Sequence, residues 1–303
     1  MNNNINCIIL CAGSGSRMND NSKNKVCFEI AGKPAVVRLI ENLRECGINK
    51  FIAVVGNKSE SVMNVLSGEK GVTFAYQKEQ SGTGNAAMCG LNVINDFEID
   101  GPVLVVMGDK LIDKSVFKML VEDFYSKKAD ISMITQPSDF NKSGGKIVVD
   151  DGKIVGIVEH MDTLLLKVFE MKREGLSIEE IYNNLNLTEK QKSKIESKLD
   201  VISDDFKIEI NGKAYTSSEI LSSGMVNCAT YLYSRDAINS SICNLNSDNA
   251  QNEIYFTDTV KLIAEKGLVS CVKVSDKNLI QTFNTMEELD AINNSFKSRG
   301  EHH

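Results

Sequence analysis

The chain has 303 residues, of which 42% are hydrophobic and 25% are charged, and its formal net charge is -7. This composition is typical of a globular protein with a sizeable core, and it excludes the disordered and fibrous classes. The negative net charge disfavours nucleic acid as a partner, so any phosphate site has to be built locally.

Cysteine, histidine and the chain ends limit the chemistry and the location further. The eight cysteines form no CxxC pair, so we predict neither a zinc site nor a disulfide framework and expect a reducing, cytoplasmic location. His160 is the only histidine outside the C-terminal GEHH, and we interpret residues 300–303 as a tag remnant. No segment has the pattern of a signal peptide or a membrane span, so we expect no membrane partner.

The first half of the chain alternates between two kinds of pattern. Short apolar runs that are typical of buried strands cover residues 7–10, 51–55, 72–76, 103–107 and 131–135. Stretches with helical spacing lie between them, at residues 35–46, 59–66, 84–94 and 115–125. This alternation predicts a doubly wound α/β fold, in which helices cover both faces of a parallel sheet.

The second half departs from this alternation. Residues 146–149 and 153–158 flank a turn and predict a hairpin, so we expect the sheet to become mixed. Further helical patterns follow at residues 164–173, 178–185 and 189–199. A second hairpin, FKIEI-NG-KAYTS, is expected at residues 206–217, with Asn211-Gly212 at its turn.

The last part of the chain returns to the first pattern. Strands are predicted at residues 225–233 and 269–274, and helices at 258–265 and 286–296. We therefore predict one domain made of residues 1–160 and 223–299. Residues 161–222 are expected to form an inserted subdomain of helices and a hairpin.

A glycine-rich run, CAGSGSRM at residues 11–18, follows the first apolar stretch. Gly13 and Gly15 let backbone N–H groups approach an anion, and Arg17 can add charged donors to a phosphate. The third glycine of the dinucleotide-binding fingerprint is missing, so a Rossmann dehydrogenase is disfavoured. Lys25, shortly downstream, is able to neutralise charge that develops on a phosphate near this loop.

An aspartate also stands at a position typical of ligand sites. Asp109 directly follows the strand at 103–107 in the segment VLVVMGDK. In open α/β sheets, ligands gather at the carboxyl ends of the strands. A carboxylate there is suited to holding Mg²⁺ against substrate phosphates.

Several motifs occur in the order that is typical of one family. The glycine-rich run, Lys25 and AGKP at residues 31–34 are followed by EQSGTGNA at 79–86 and GGKIVVDDGKIVGIVEH at 144–160. In these segments the chain resembles the sugar-1-phosphate nucleotidyltransferases. It is most similar to the uridylyltransferase domain of the N-acetylglucosamine-1-phosphate uridylyltransferases. The acetyltransferase domain of their bifunctional members is not expected here.

The resemblance implies a Rossmann-like nucleotide-diphospho-sugar transferase fold with a mixed central sheet. It also implies transfer of UMP from UTP to N-acetylglucosamine 1-phosphate or a related sugar 1-phosphate, with release of pyrophosphate. The implied cofactor is Mg²⁺. The implied partners are a nucleoside triphosphate and a sugar 1-phosphate, and homo-oligomerisation stays open.

The resemblance also assigns roles to single residues. Catalytic roles fall to Arg17 and Lys25, and metal ligation falls to Asp109 and Asn284. The sugar is assigned to Gly145, Glu159 and Asn227. The nucleotide is assigned to Cys11, Ala12, Gly13, Gly15, Gln77, Gly82 and Thr83, of which Gln77 and Gly82 would read the base.

Some residues depart from the family pattern and leave two alternatives open. Asn24 stands in place of a proline, Lys110 makes GDK where GDVP is common, and Cys228-Ala229 replace threonine and glycine. Cys11 stands in place of an alanine. One alternative is another substrate pair, with glucose 1-phosphate as acceptor or CTP with a small alcohol phosphate. The other is a nucleotide-binding regulatory relative without turnover.

The inserted segment contains a pattern similar to a helix-turn-helix, because GLSIEEIYNNLNLTEKQ has apolar spacing with a short break. Between residues 163 and 222, however, acidic residues outnumber basic ones, so no positive surplus is available for DNA. The segment leaves the main domain just after Glu159 and returns just before Asn227. We therefore expect it to close over the substrate or to shape the choice of sugar.

Overall fold

A nine-stranded mixed sheet forms the centre of the molecule. The computed structural model describes residues 4–18, 20, 22–140, 144–199 and 207–298. The predicted tag remnant at 300–303 and Phe206, the first residue of the second predicted hairpin, lie outside these ranges.

The elements follow one another in the order that the sequence patterns predict, with several short additions. The strands are β1 (Asn6–Leu10), β2 (Glu29–Ile30), β3 (Lys33–Pro34), β4 (Lys50–Val55), β5 (Val72–Tyr76), β6 (Val103–Met107), β7 (Lys110–Ile112), β8 (Ile131–Pro137), β9 (Lys146–Asp150), β10 (Lys153–Val158), β11 (Ile208–Ile210), β12 (Lys213–Tyr215), β13 (Met225–Tyr233), β14 (Val269–Lys273) and β15 (Ile280–Thr282). The helices are α1 (Ala35–Arg44), α2 (Ser59–Leu66), α3 (Thr83–Asp96), α4 (Lys114–Lys127), α5 (His160–Arg173), α6 (Ile178–Asn184), α7 (Glu189–Leu199), α8 (Ser217–Leu221), α9 (Arg235–Ile242), α10 (Asp258–Ala264) and α11 (Met286–Ser298).

The first half of the chain builds the parallel part of the sheet. β1 lies between β4 and β6, β5 extends the sheet beyond β4, and all these neighbours are parallel. The strands β1, β4 and β6 are apolar and buried almost throughout, as expected for strands that are covered on both faces. The predicted alternation of strands and helices is confirmed.

The second half adds antiparallel pairs, so the sheet is mixed, as predicted. β13 runs antiparallel to β6 and β8, and the β9–β10 hairpin continues the sheet on that side. β14 pairs in parallel with β8. The second hairpin, β11–β12, forms a separate small sheet, and Asn211 and Gly212 have φ of 52° and 75° at its turn. Both residues of a type I′ turn need positive φ, which explains the Asn-Gly pair.

Two differences from the predicted elements matter for the site. Helix α5 begins at His160 instead of residue 164, because Glu159 has an extended backbone and its carbonyl accepts hydrogen bonds from both the backbone and the side chain of Thr163. The short strands β7 and β15 pair with each other and were not predicted. Three residues are too few for an alternating pattern to stand out.

The helices of the inserted segment have a core of their own that joins the main domain. Leu165, Val168, Ile181 and Ile195 pack together with Ala250, which follows α9 in the chain. A second cluster brings side chains of α5, β11, β12 and α8 against the β9–β10 hairpin: Val148, Val158, Leu166, Ile210, Tyr215 and Ile220. The division into a main domain and an inserted subdomain stays a prediction.

Within the described ranges, none of the helices combines the length and the apolar character that a membrane crossing requires.

Candidate active site

A cavity of about 670 Å³ opens at the carboxyl ends of β1 and β6, the edge at which parallel sheets gather ligands. Its size lies within the range of small-molecule sites. Many of the predicted residues line it: Gly15, Arg17, Lys25, Thr83, Asp109, Gly145, Glu159, Asn227 and Asn284. The predicted nucleotide residues Cys11, Ala12, Gly13, Gln77 and Gly82 lie in segments beside the cavity and do not line it. The structure therefore brings the predicted catalytic, metal and sugar residues together, while their roles stay predictions.

The loop after β1 forms one end of this cavity. Gly15 has a φ of +61°, a conformation that favours glycine, and a Cβ atom there would lie 3.1 Å from the Cβ atom of Lys25. The N–H of Met18 donates to the carbonyl of Gly15 over 3.0 Å, which closes a short turn. Within the described ranges, the backbone N–H groups of Gly13 and Gly15 have no acceptor. They are therefore available to phosphate oxygens.

Asn24 holds this loop from behind, and sequence reasoning gave it no role. Its side chain is buried and donates hydrogen bonds to the carbonyls of Cys11 and Asn57, each over 2.9 Å, and of Gly13 over 3.2 Å. With the carbonyls of Cys11 and Gly13 held on the inner side, the loop is kept in one conformation. The proline that the family usually has at this position lacks any such donor.

Lys25 joins the glycine loop to the acidic side of the cavity. Its ammonium makes a hydrogen-bonded ion pair with Asp109 and donates to Oδ1 of Asn284 over 3.0 Å. The ring centroid of Phe283 lies 5.3 Å from Nζ. Burial alone would raise the pKa of Asp109, but the positive charges of Lys25 and Lys110 hold it below the ordinary value. Asp109 is therefore ionised at neutral pH.

The donor set around Lys25 fits a magnesium ion. Oδ1 of Asp109 is buried and has no hydrogen-bond partner in the described part of the chain. The amide oxygen of Asn284 points to the same place, because Lys25 contacts both side chains. Carboxylate and amide oxygens are ligands that Mg²⁺ accepts, with substrate phosphates and water filling the remaining positions. Among the described residues, no cluster of three or more His, Cys, Asp or Glu forms a complete metal site.

The predicted sugar residues lie together on another wall. The N–H of Asn227 donates to the carbonyl of Gly145 over 2.9 Å, and its side chain donates to the hydroxyl of Tyr231 over 2.5 Å. Oε1 of Glu159 accepts from the hydroxyl of Thr257 over 2.8 Å. Burial raises the pKa of Glu159 above its usual value, the bond from Thr257 opposes this, and the nearby Asp162 adds to the rise. Hydroxyl groups of a ligand can therefore contact the carboxylate of Glu159, the amide of Asn227 and the backbone at Gly145 on this wall.

The predicted base-reading segment is tied to a distant part of the chain. Gln77 is buried, and its side-chain amide donates to the carbonyl of Gly82 over 3.2 Å and to Asn85 over 2.9 Å. Gly82 has a φ of +119°, and a Cβ atom there would lie 2.5 Å from the carbonyl oxygen of Ile254. The hydroxyl of Thr83 accepts from the N–H of Phe256 over 3.1 Å. Gln77 therefore supports the loop that carries Gly82 and Thr83.

Several residues line the cavity that the sequence analysis did not assign to a site. One is Lys110, which was noted only as a departure from the family pattern. A further group comes from the start of α5, the rest of the inserted segment and the chain after α9: His160, Met161, Thr188, Lys190, Gln191, Lys194 and Gln251. The sequence offered one signal for this group: the inserted segment leaves the main domain just after Glu159 and returns to it just before Asn227. Their convergence depends on how α7 packs against α5.

Residues 7–180 match the model of the MobA-like NTP transferase domain. The chain belongs to this family. A relative named Bifunctional protein GlmU, from Geotalea uraniireducens, is 30% identical over 269 residues, which are 88% of this chain and 47% of the relative. Another of the same name, from Caldanaerobacter subterraneus, is 37% identical over 157 residues, which are 51% of this chain and 33% of the relative. The predicted resemblance is confirmed, and this chain of the NTP transferase family spans about half the length of the curated relatives it matches.

Two solved structures are similar across almost the whole chain. A UDP-glucose pyrophosphorylase in complex with UDP-glucose matches with a TM-score of 0.64 and 15% identity, covering 97% of this chain and 98% of that one. A candidate glucose-1-phosphate thymidylyltransferase from Bacillus anthracis, in complex with sucrose, matches with a TM-score of 0.63 and 18% identity, covering 96% and 94%. The Rossmann-like nucleotide-diphospho-sugar transferase fold that was predicted is thereby confirmed.

Proposed function

We propose that this NTP transferase domain is a sugar-1-phosphate nucleotidyltransferase that transfers UMP from UTP to N-acetylglucosamine 1-phosphate or a related sugar 1-phosphate. The observation that carries the proposal is the meeting of Gly15, Lys25 and Asp109 with Glu159 and Asn227 in one cavity. A phosphate-binding loop with a cation and a carboxylate is what a triphosphate requires. Glu159 and Asn227 offer acceptors and donors for sugar hydroxyls on another wall.

The reaction needs no nucleophile from the protein. A phosphate oxygen of the sugar 1-phosphate attacks the α-phosphorus of UTP in line and forms the new P–O bond. The bond from the α-phosphorus to the bridging oxygen breaks, and pyrophosphate leaves with the electron pair. Catalysis of such a step consists of positioning and charge neutralisation. This agrees with the single internal histidine of the sequence.

Each part of the cavity has a role in this scheme. The N–H groups of the glycine loop and Arg17 hold the triphosphate, and Lys25 neutralises charge that builds up on the transferred phosphate. Mg²⁺ held by Asp109 and Asn284 would neutralise phosphate charge further. Asn227 and Glu159 orient the sugar so that its phosphate faces the α-phosphorus.

The test is pyrophosphate release in the presence of Mg²⁺, with UTP, CTP and dTTP each combined with N-acetylglucosamine 1-phosphate, glucose 1-phosphate and phosphocholine. We expect release with UTP and the N-acetylated sugar phosphate. Release with CTP and phosphocholine instead would mean that these two compounds, and not UTP and the sugar phosphate, are the substrates. Binding of UTP without release from any combination would contradict the proposed activity and favour a regulatory nucleotide-binding protein.

Lys25→Ala is expected to lower kcat by about 100-fold while changing the Kd for UTP only a few fold, because the ammonium acts on charge that develops in the transition state. Lys23→Ala is the matched control. Lys23 is two residues away, contacts the ring of Phe28 and does not line the cavity. Single-turnover kinetics and calorimetric UTP binding measure the two effects. An unchanged kcat in Lys25→Ala contradicts the role.

A further inference from the structure

The cavity is far more positive than the chain as a whole. Among the residues that the structure describes, it is lined by five basic side chains, Arg17, Lys25, Lys110, Lys190 and Lys194, and by two carboxylates, Asp109 and Glu159. The chain, in contrast, has a net charge of -7. The positive charge is therefore concentrated where anionic substrates would bind.

Two of these cations are already paired. Lys25 makes its ion pair with Asp109, and Lys194 donates to Gln251 over 2.7 Å and forms a longer ion pair with Glu253. Within the described residues, Arg17, Lys110 and Lys190 have no ion pair or hydrogen bond from their side chains. These three cations are available to a ligand.

The three available cations are not in the same part of the cavity. Arg17 belongs to the glycine loop, and Lys110 is adjacent to Asp109, so both lie where the reacting phosphates are expected. Lys190 belongs to α7, in the inserted segment. The core between α7 and α5 includes Met161, which directly follows Glu159 and His160. The packing of α7 against α5, which begins directly after Glu159, is the ground for assigning Lys190 to the sugar side of the cavity.

No carboxylate in the described part of the chain forms an ion pair with Lys190. The adjacent Glu189 is paired with Lys192, whose ammonium lies 2.7 Å from its carboxylate. Lys192 also lies over the ring of Tyr182, at 5.9 Å, which directs it toward α6 and away from the cavity. The side chains of Lys190 and Lys192 thus extend from different sides of α7, and of the two only that of Lys190 lines the cavity.

We propose that Lys190 binds a second anionic group on the acceptor, so that the preferred acceptor is a sugar 1-phosphate carrying a further phosphate or carboxylate away from the reacting phosphate. This inference rests on the proposed function and narrows its substrate class. Arg17, Lys25 and Lys110 belong to the part of the cavity where the reacting phosphates are expected. A sugar 1-phosphate whose sugar is uncharged offers no anionic group to Lys190 on the sugar side.

The test compares acceptors that differ only in the second anion. The pairs are N-acetylglucosamine 1,6-bisphosphate against N-acetylglucosamine 1-phosphate, and glucuronic acid 1-phosphate against glucose 1-phosphate. In each pair, kcat/KM with UTP is measured for the wild type, Lys190→Ala and the control Lys192→Ala. We expect a wild-type preference of about tenfold or more for the doubly charged member of one pair, which also tells phosphate from carboxylate. Lys190→Ala should abolish that preference, and Lys192→Ala should keep it.

The outcomes separate this inference from the proposed function. Turnover of N-acetylglucosamine 1-phosphate with no preference in either pair, or with the same preference in Lys190→Ala, overturns the inference alone. If Lys190→Ala lowers kcat/KM equally for both members of a pair, Lys190 contacts the reacting phosphate. That result also overturns the inference. No turnover with any acceptor overturns the proposed function. Calorimetric binding of the same acceptors to the wild type and Lys190→Ala then still decides whether Lys190 selects the second anion.

Discussion

Asn24 occupies a position at which the resembled family usually has proline, and this substitution is compensated by new hydrogen bonds. Its backbone has φ of -65° and ψ of 146°, which proline could adopt. Its N–H, however, donates to the hydroxyl of Ser61 over 2.9 Å, which proline could not do. The side chain adds the bonds to the glycine loop. Here one polar side chain does by hydrogen bonding what a rigid ring would do by restricting the backbone.

Asn24→Ala should lower the free energy of unfolding by about 1–3 kcal/mol, because it leaves buried carbonyls without a donor. The looser glycine loop should also raise the KM for UTP. Urea unfolding and initial rates measure the two effects. Asn24→Asp is the isosteric control: it keeps the acceptor for the N–H of Val26 but removes the donors. Wild-type stability in both variants would show that the amide does not hold the loop.

The raised pKa of Glu159 predicts how acceptor binding depends on pH. Burial makes this carboxyl take up a proton at higher pH than an ordinary glutamate, and Asp162 and Asp258 act in the same direction. In the proposed function the charged form accepts hydrogen bonds from sugar hydroxyls, and this form is lost as the pH falls. We expect the KM for the acceptor to rise toward acidic pH while the KM for UTP changes less.

The control for this pH dependence is Glu159→Gln, because the acceptor phosphate itself titrates at about pH 6. Its profile should retain only the titration of the phosphate, with a higher KM at neutral pH. Identical profiles for the wild type and Glu159→Gln would mean that ionisation of Glu159 does not affect sugar binding.

At the scale of elements, the segment at residues 249–257 connects three parts of the cavity. The N–H of Ala250 donates to Asp162 of α5 over 2.9 Å. The N–H of Phe256 donates to Thr83 at the start of α3, and Thr257 donates to Glu159 before α5. The predicted base loop, the predicted sugar carboxylate and the inserted segment are thus held by one stretch of chain. We expect a movement of any one of these three parts to shift the other two.

Strand β13 contains an irregularity that explains a family preference. Its pairing with β8 shifts between Asn227 and Tyr231, and Ala229 within this bulge has a φ of 51°. The resembled family has glycine at this position, which adopts positive φ without steric cost. The side-chain oxygen of Asn227 accepts from the N–H of Ala229 over 2.9 Å, so the bulge also orients Asn227.

Ala229→Gly should raise the free energy of unfolding by about 0.5–1 kcal/mol. Relief of the left-handed backbone contributes about 1–2 kcal/mol, and the greater entropy of the unfolded chain removes about 0.4–1 kcal/mol of this. Ala86→Gly, at a buried position in α3, is the control and should lower it by about 1 kcal/mol. Urea denaturation measures both variants. A change of the same sign in the free energy of unfolding of both would contradict the argument.

At the scale of the molecule, the inserted segment is a structural part of the protein as well as a wall of the cavity. Leu166 of α5 is 1% exposed and packs with Val148 and Val158 of the β9–β10 hairpin. Removing the whole segment would expose this cluster, so deletion is expected to destabilise the fold and does not isolate a role in catalysis. Single substitutions in the segment are the sharper test.

Leu166→Ala should therefore lower the free energy of unfolding by about 2–5 kcal/mol, because it opens a cavity between the inserted segment and the sheet. Ile178→Ala is the matched control, since Ile178 lies in the same segment and is 37% exposed. It should change the value by less than about 0.5 kcal/mol. Differential scanning calorimetry measures both. A small effect of Leu166→Ala would mean that the segment contributes little to the stability of the main fold.

The sequence alone determined the main elements and the mixed sheet, because buried strands, amphipathic helices and glycine turns leave periodic or local patterns. Such patterns also indicated Gly15, Lys25 and Asp109 as candidate site residues. Resemblance to the family was needed to assign the other candidates: Gly145, Glu159, Asn227 and Asn284. Only the tertiary structure decided how Asn24 holds the glycine loop, that Gln77 supports the predicted base-reading loop from outside the cavity, and that Lys190 lines the same cavity as Glu159. These are contacts between residues far apart in the chain, set by the packing of whole elements, and no local pattern encodes them.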